Sequence, residues 1–397
     1  MKKVLIASFD MEVGGVERSL ISMLESFDYT KYDINLMLYR HQGEFMSMLP
    51  KEVNLVKEVA EYATFRRPIS EIVKSKQYGI AVARILAKYI GLIAAKAKGF
   101  KELGLIPMQL GWKYTMPFLP KLDKEYDVAI SYLWPHYFIA DKVKGKKKIA
   151  WIHTDYSYLE IDNKMDYKMW DKFDWIVAVS EDCKRSFLSR YPQFSNKTIV
   201  VENITAVNFI KSMAEKDCSA EIRVDDKCTK LITVARLAYA KGIDDAVRAC
   251  RKLVDDGYDI RWYVVGYGSE ETAVRKLIEE LKLEDRFIIL GKKLNPYPYI
   301  RACDIYVQPS RYEGKAVTVT EAQVLEKPVL ITRYSTANSQ VRHEYDGIIT
   351  DLGVEGLVSG VKKLLDNPEL QIRLKKNTAK VNYNNSFEIE KLYKLLG

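Results

Sequence analysis

The chain has 397 residues, 48% of them hydrophobic, which is enough for two or three domains with sizeable cores and excludes an intrinsically disordered protein. Its five cysteines (Cys183, Cys218, Cys228, Cys250 and Cys303) include no Cys-x-x-Cys pair, so a disulfide scaffold and a zinc knuckle are disfavoured and a reducing, cytoplasmic setting is expected. The net charge of +9 is local: residues 62–124 hold twelve Lys and Arg against three acids, and the remaining chain balances.

The opening MKKVLIASFD has an apolar core that stops at Asp10, too short for a secretion signal. Residues 4–9 read instead as a strand, followed by a turn at Gly14-Gly15 and a helix over 16–24. Further apolar runs at 34–39, 128–132, 148–152 and 175–179 each read as a strand. In the second half, runs at 231–237, 260–266, 287–291, 304–308 and 329–332 alternate with helical patterns near 241–256, 270–282, 298–303 and 318–326. Strands alternating with helices predict parallel sheets, here two doubly wound α/β domains of Rossmann type facing a cleft. The expected division is an N-terminal domain over 1–205, a charged linker over 206–228, a C-terminal domain over 229–375, and a helical segment over 376–397 able to dock on the N-terminal domain.

The basic stretch 62–124 stands apart. Between 69 and 93, apolar residues recur near helical spacing with Lys74, Arg84 and Lys88 interleaved. One reading is a basic amphipathic helix that lies on an anionic membrane surface. The other is a domain helix that packs its apolar face on the sheet and keeps its lysines in water. No nucleic-acid recognition motif accompanies the charge, and no uncharged apolar run approaches the roughly 18 residues that span a bilayer.

Ligands of open α/β sheets bind beyond the carboxyl ends of strands, so the loops there carry the candidate chemistry. Arg236 and Lys241 follow a strand and precede a helix, a setting suited to a diphosphate, although a sheet-capping Arg and a solvated Lys would look the same. Glu313, followed by Gly314, sits at another strand end. Glu321 lies in the next helix, where Thr318-x-x-Glu321 also fits a capping box. Gly14, Gly15 and Gly268 are positions where bare backbone could approach a phosphate or only turn the chain. His153 ends a strand run near Asp155 and reads either as a hydrogen-bonded structural residue or as a catalytic group. Neither a His/Cys/Asp cluster of zinc spacing nor an Asp-x-Asp is found, so no metal site is expected.

Taken in order, GGVER (14–18), WIHTDY (151–156), VSE (179–181), VARLAYAKG (234–242), VVGYG (264–268) and PSRYEGKAVTVTEA (309–322) resemble the retaining glycosyltransferases of GT-B fold, family 4. The resemblance implies a metal-independent hexosyltransferase without cofactor. Its donor would be a nucleotide diphosphate sugar, a UDP-sugar above all, and its acceptor a lipid-linked or envelope glycan at the inner face of the plasma membrane. Arg236 and Lys241 would match the diphosphate clamp, Glu321 the ribose contact, Glu313 the contact to the donor sugar, and His153 a histidine beside that sugar. Gly14, Gly15, Gly268, Gly314 and Lys315 would line the donor. Lys315 departs from the apolar or aromatic residue common there, and Glu202-Asn203-Ile204 departs where a proline or glycine often follows the asparagine. A sugar-nucleotide epimerase or phosphorylase of the same fold, or a non-catalytic membrane-bound partner subunit, are the alternative readings.

Overall fold

The computed structural model describes residues 1–205, 207–222 and 228–397, and these form two compact units. The first comprises Met1–Glu12, Val16–Glu202 and Ile389–Gly397; the second comprises Val13–Gly15 and Asn203–Glu388.

In the first unit, seven parallel strands take the order β3-β2-β1-β4-β5-β6-β7. They are β1 (Lys2–Ser8), β2 (Tyr32–Leu38), β3 (Asn54–Leu55), β4 (Leu122–Ser131), β5 (Val143–Ile152), β6 (Trp175–Ala178) and β7 (Thr198–Val200). In the second, six parallel strands take the order β10-β9-β8-β11-β12-β13. They are β8 (Thr229–Val234), β9 (Ile260–Val265), β10 (Phe287–Gly291), β11 (Ile305–Gln308), β12 (Val329–Thr332) and β13 (Ile348–Thr350). Both sheets reverse direction of growth beside the first strand, the doubly wound pattern expected from the alternation. Because both faces of a parallel sheet are covered by helices, its strands are apolar on both sides. Trp262 and Val264 of β9 enter one core of the second unit, and Tyr263 and Val265 enter the other.

Strands β3, β7 and β13 escaped the sequence because two or three residues carry no readable period. The linker reading over 206–228 is corrected for the described residues: Val207–Met213 is a helix, and Ile210, Ala214 and Ile222 are buried in the second unit's core. Around these few apolar anchors the described charged residues Lys211, Glu215, Lys216, Asp217 and Glu221 are exposed. Residues 206 and 223–227 of that segment lie outside the described residues. The second unit therefore extends beyond 229–375 at both ends. Within residues 376–397 the helix Glu388–Leu396, separate from Pro368–Ala379, is grouped with the first unit from Ile389 on. Tyr393 of that last helix stacks on Tyr32 with ring centroids 4.9 Å apart; its hydroxyl accepts from the Asp28 amide (2.7 Å) and donates to the Ser26 carbonyl (3.2 Å).

The basic stretch is inserted between β3 and β4 and contains the helices Tyr78–Ala97 and Leu105–Thr115. The longer helix buries Ile80 with the small residues Ala81, Ala83, Ala87, Gly91 and Ala95, and it leaves Val82, Ile85, Leu86, Tyr89, Ile90 and Ile93 exposed. This excludes the second of the two readings, in which its large apolar residues pack on the sheet. The cause is the neighbouring helix, which passes so close that a Cβ at Gly91 would sit 2.6 Å from Pro107 Cα. Arg84, interleaved in that pattern, is half-buried. Its guanidinium turns inward and donates to the carbonyls of Thr64 and Arg67, the latter at 2.9 Å.

The small face makes a direct test. Gly91→Val should force the two helices apart and destabilise the first unit by about 1–3 kcal/mol, the usual cost of overpacking, which a lowered Tm will report. Ala94→Val, at a half-buried position on the same helix, should change Tm far less.

Candidate active site at the strand ends of the second unit

Three loops leave the carboxyl ends of β8, β9 and β11 and are stitched together by backbone. Leu237 N–H donates to the Tyr267 carbonyl (3.0 Å), Glu270 N–H to the Leu237 carbonyl (3.0 Å), and Arg311 N–H to the Ala240 carbonyl (2.8 Å). The approach is too close for side chains at two points. Gly242 has φ +61° and a Cβ there would lie 2.2 Å from the Pro309 carbonyl oxygen; a Cβ at Gly268 would lie 2.2 Å from that of Leu237. Glycine alone meets both conditions at Gly242, because left-handed backbone is costly for a branched residue.

This stitching brings Lys241 to Glu313. The Lys241 ammonium donates to both carboxylate oxygens at 2.6 Å. Glu313 is 7% exposed, and its Oε1 also accepts from Ser310 Oγ (2.7 Å) and Gln308 Nε2 (3.1 Å). Thr336 Oγ1 donates to the Glu313 carbonyl at 3.0 Å, and Thr332 Oγ1 donates to that of Ser310 at 2.5 Å. The carboxylate is thus held from several sides, as a group must be if it is to keep a fixed position toward a ligand. Arg236, on the same loop as Lys241, is exposed and forms no ion pair among the described residues, so its guanidinium remains available to an anion.

Arg311 is a residue the sequence reading missed. Its guanidinium donates to the Tyr239 carbonyl (2.7 Å) and to the Asp244 and Asp245 carboxylates (2.8 Å each), and it lies over the Tyr239 ring at 4.5 Å. It therefore ties the β11 loop, which carries Glu313, to the β8 loop, which carries Lys241. Asp244 and Asp245 open the helix Ile243–Asp255, so the positive end of that helix already faces two carboxylates. Burial pushes the Asp244 carboxyl up, but the Arg311 hydrogen bond and charge outweigh it and hold it below its usual value. The signal was an arginine two residues before Glu313, and a local sequence window cannot show what an arginine reaches.

Glu321 is buried inside the helix Val317–Val324, where its Oε1 accepts from the Tyr297 hydroxyl at 3.0 Å. The capping-box alternative is excluded by register. Ala316 is the N-cap and Thr318 already lies within the helix, its hydroxyl within 2.8 Å of the Tyr306 hydroxyl. The capping work falls to Gln340, which accepts from the Ala316 amide (3.0 Å) and donates to the Ala316 carbonyl (2.8 Å). Gly314 is buried between these groups and Lys315 is half-buried beside it.

His153 lies in the first unit, just beyond β5, with its ring 4.6 Å from that of Tyr132. Its Nε2 has no hydrogen-bond partner among the described residues, and burial pushes the imidazole down to about 3. A second histidine, His136, is fully buried beyond β4; one ring nitrogen lies 2.8 Å from Ser131 Oγ, and burial likewise holds the ring well below 6.5. The sequence left His136 unplaced, yet it follows a strand end just as His153 does. Gly14 is in the loop after β1 and Gly15 begins the helix Gly15–Glu25; both are grouped with the second unit. Among the described residues no cluster of three His, Cys, Asp or Glu could hold a metal ion.

With the geometry in place, comparison with known proteins is informative. Residues 215–381 match the family model described as glycosyl transferases group 1. That region contains Arg236, Lys241, Gly268, Glu313, Gly314, Lys315 and Glu321. Over 190 residues the chain is 26% identical to alpha-D-kanosaminyltransferase of Streptomyces kanamyceticus, covering 45% of this chain and 49% of that protein. Over 168 residues it is 30% identical to the putative colanic acid biosynthesis glycosyltransferase WcaL of Escherichia coli, covering 39% and 41%. These alignments span less than half the length of either curated relative. The fold is similar to that of Anabaena HepE in complex with UDP and glucose, with a TM-score of 0.72 at 16% identity, covering 100% of this chain and 99% of that one. The architecture is accordingly that of GT-B glycosyltransferases, two Rossmann-like α/β domains.

Two predictions follow from the geometry. Arg311→Ala removes the cation that joins the Asp244 and Asp245 carboxylates and leaves only Arg248, 3.3 Å from Asp244, beside them, so stability should fall by about 1.5–3 kcal/mol, the range for hydrogen bonds to charged groups; chemical denaturation measures it. The histidines and Asp166 act oppositely on acid stability. His153 and His136 bind fewer protons folded than unfolded below the ordinary value of 6.5, so their effect is a loss of stability as pH falls from 6.5 toward 3. Asp166 accepts from Trp134, Trp170 and Tyr191, and burial pushes its carboxyl up from 3.8 to about 6; it binds more protons folded in that window and offsets the loss. Asp166→Asn should therefore steepen the fall in Tm between pH 6 and pH 4.

Proposed function

We propose that the protein transfers a hexose from a UDP-sugar to a lipid-linked or envelope glycan, with retention of anomeric configuration and without a metal. The observation that carries this reading is the fixed Lys241–Glu313 pair at the strand ends, with exposed Arg236 on the same loop, inside the region that matches group 1 glycosyl transferases. In this reading Arg236 and Lys241 take up the charge of the leaving diphosphate, which two preorganised cations can do without reorganising water. Glu321 holds the ribose, and Glu313 meets the hydroxyls of the donor sugar. The loops bearing Gly14, Gly15, Gly268, Gly314 and Lys315 lie along the donor, and His153, neutral at physiological pH, serves as a hydrogen-bonding group toward the sugar rather than as a charge.

Several comparisons support the choice of substrates. HepE is described with UDP and glucose, WcaL with colanic acid biosynthesis, and a Staphylococcus aureus relative, CapM, with capsular polysaccharide biosynthesis. Five free cysteines support a reducing compartment, and an anionic membrane facing that compartment is the surface on which a lipid-linked acceptor would be met.

The test is a panel of nucleotide sugars scored for release of nucleoside diphosphate with and without glycan acceptors. UDP release from one UDP-sugar, rising with acceptor and unaffected by a chelator, is expected; release from none, or strict dependence on added magnesium or manganese, refutes the reading. Within it, Arg236→Ala should lower turnover about 100-fold or more, the scale for removing one preorganised donor to developing charge, while leaving Tm unchanged because the side chain is exposed and unpaired. Glu321→Ala should chiefly raise KM for the donor, whereas Glu313→Ala should chiefly lower kcat.

A further inference from the structure

The outward face of the Tyr78–Ala97 helix carries seven large apolar side chains, Tyr78, Val82, Ile85, Leu86, Tyr89, Ile90 and Ile93, at intervals that keep them on one side. Tyr89 is 63% and Ile93 69% exposed, and the inward face holds Ile80, four alanines and a glycine. A helix on a protein surface ordinarily has the reverse arrangement, large apolar residues inward and polar ones outward. The stripe continues onto Phe118, which is half exposed and whose ring lies against Gly79.

Charge identifies what covers it. Exposed lysines sit at both ends of the helix, Lys74 and Lys76 before it and Lys96, Lys98 and Lys101 at and beyond its end, and among the described residues no ion pair neutralises them. Arg66, Arg67 and Arg84 are already engaged with Asp10, Glu58 and backbone carbonyls. The helix is long and apolar enough to cross a membrane, yet a third of it is buried inside the protein and its small face is closed by the Leu105–Thr115 helix. Cations at both ends of an apolar stripe fit a helix lying flat between headgroups and acyl chains, with lysines reaching anionic headgroups along its length.

We infer that the Tyr78–Ala97 helix seats the protein on an anionic lipid surface by burying this stripe in the interface, side-on and without spanning. The inference rests on the membrane part of the reading above and assigns it to one helix face, with hydrophobic insertion as well as charge.

The experiment uses the full chain with vesicles of phosphatidylcholine alone or mixed with phosphatidylglycerol. The protein should co-sediment with the mixed vesicles and less with the neutral ones. Leu86→Gln combined with Ile93→Gln, both exposed and both replaced by a good helix former, should weaken binding at least about tenfold with Tm unchanged. Lys96→Gln with Lys98→Gln and Lys101→Gln should weaken it by a similar factor and flatten its salt dependence. Equal binding to both vesicles, or unchanged binding of the Leu86/Ile93 variant, overturns the inference. So does absence of vesicle binding, and if light scattering then shows a dimer that the same variant dissociates, the stripe belongs to a second copy of the chain. Donor hydrolysis measured on the same samples separates the two claims: vesicle binding without hydrolysis removes the transferase, and hydrolysis without vesicle binding removes the lipid seat.

Discussion

The contact between the Lys241 ammonium and the Glu313 carboxylate, with two short bonds to one buried group, sets the terms for the strand ends of the second unit. Removing two charges from water is costly unless geometry and further hydrogen bonds compensate. Here Ser310 and Gln308 supply that compensation, both from the end of β11 and the segment that continues it, while Arg311 ties the two loops that bear the pair. The pair thus depends on the sheet, and the loops depend on the pair. Gly242 shows how narrow the tolerance is, since its backbone must run against the Pro309 carbonyl for Lys241 to arrive where it does.

Much of this is legible in the sequence. Apolar runs separated by helical spacing are long-range features, and ten of the thirteen strands among the described residues announce themselves that way. Lys241 and Glu313 were visible because each follows such a run. What stayed hidden depends on contacts distant in sequence. Thr318 and Glu321 have the spacing of a capping box, but the helix starts two residues too early for it, and only Gln340, 24 residues away from Ala316, explains why that start is stable. Arg311 reads as one more surface arginine until Asp244 and Asp245 are seen opposite it. The linker reading fails for the same reason, because Ile210, Ala214 and Ile222 are buried while the described charged residues around them are exposed.

The basic segment teaches the converse. Its helical period was plain, but which side faces the protein could not be read from hydrophobicity, because the neighbouring helix rewards small residues over large ones at Gly91. Close backbone approach and burial of bulky groups are competing uses of the same face. In the first unit, burial acts through titration instead: two imidazoles held below their usual value and a carboxyl raised to about 6 oppose each other's response to acid.

The last helix gives the architecture an order in time. Residues 389–397 complete the first unit, with Tyr393 stacked on Tyr32 and the Lys2 amine donating to the Leu396 carbonyl, while everything from Asn203 to Glu388 builds the second. During synthesis the ribosome delivers the chain from its N-terminus, and domains fold as they emerge. The first unit must therefore wait, its Phe27 and Tyr32 rings uncovered on that side, until some 190 residues of another fold have been made, a delay of roughly ten to forty seconds at ordinary elongation rates. A nascent chain stalled inside the second unit would expose that apolar seam to chaperones, and the closing helix is what withdraws it.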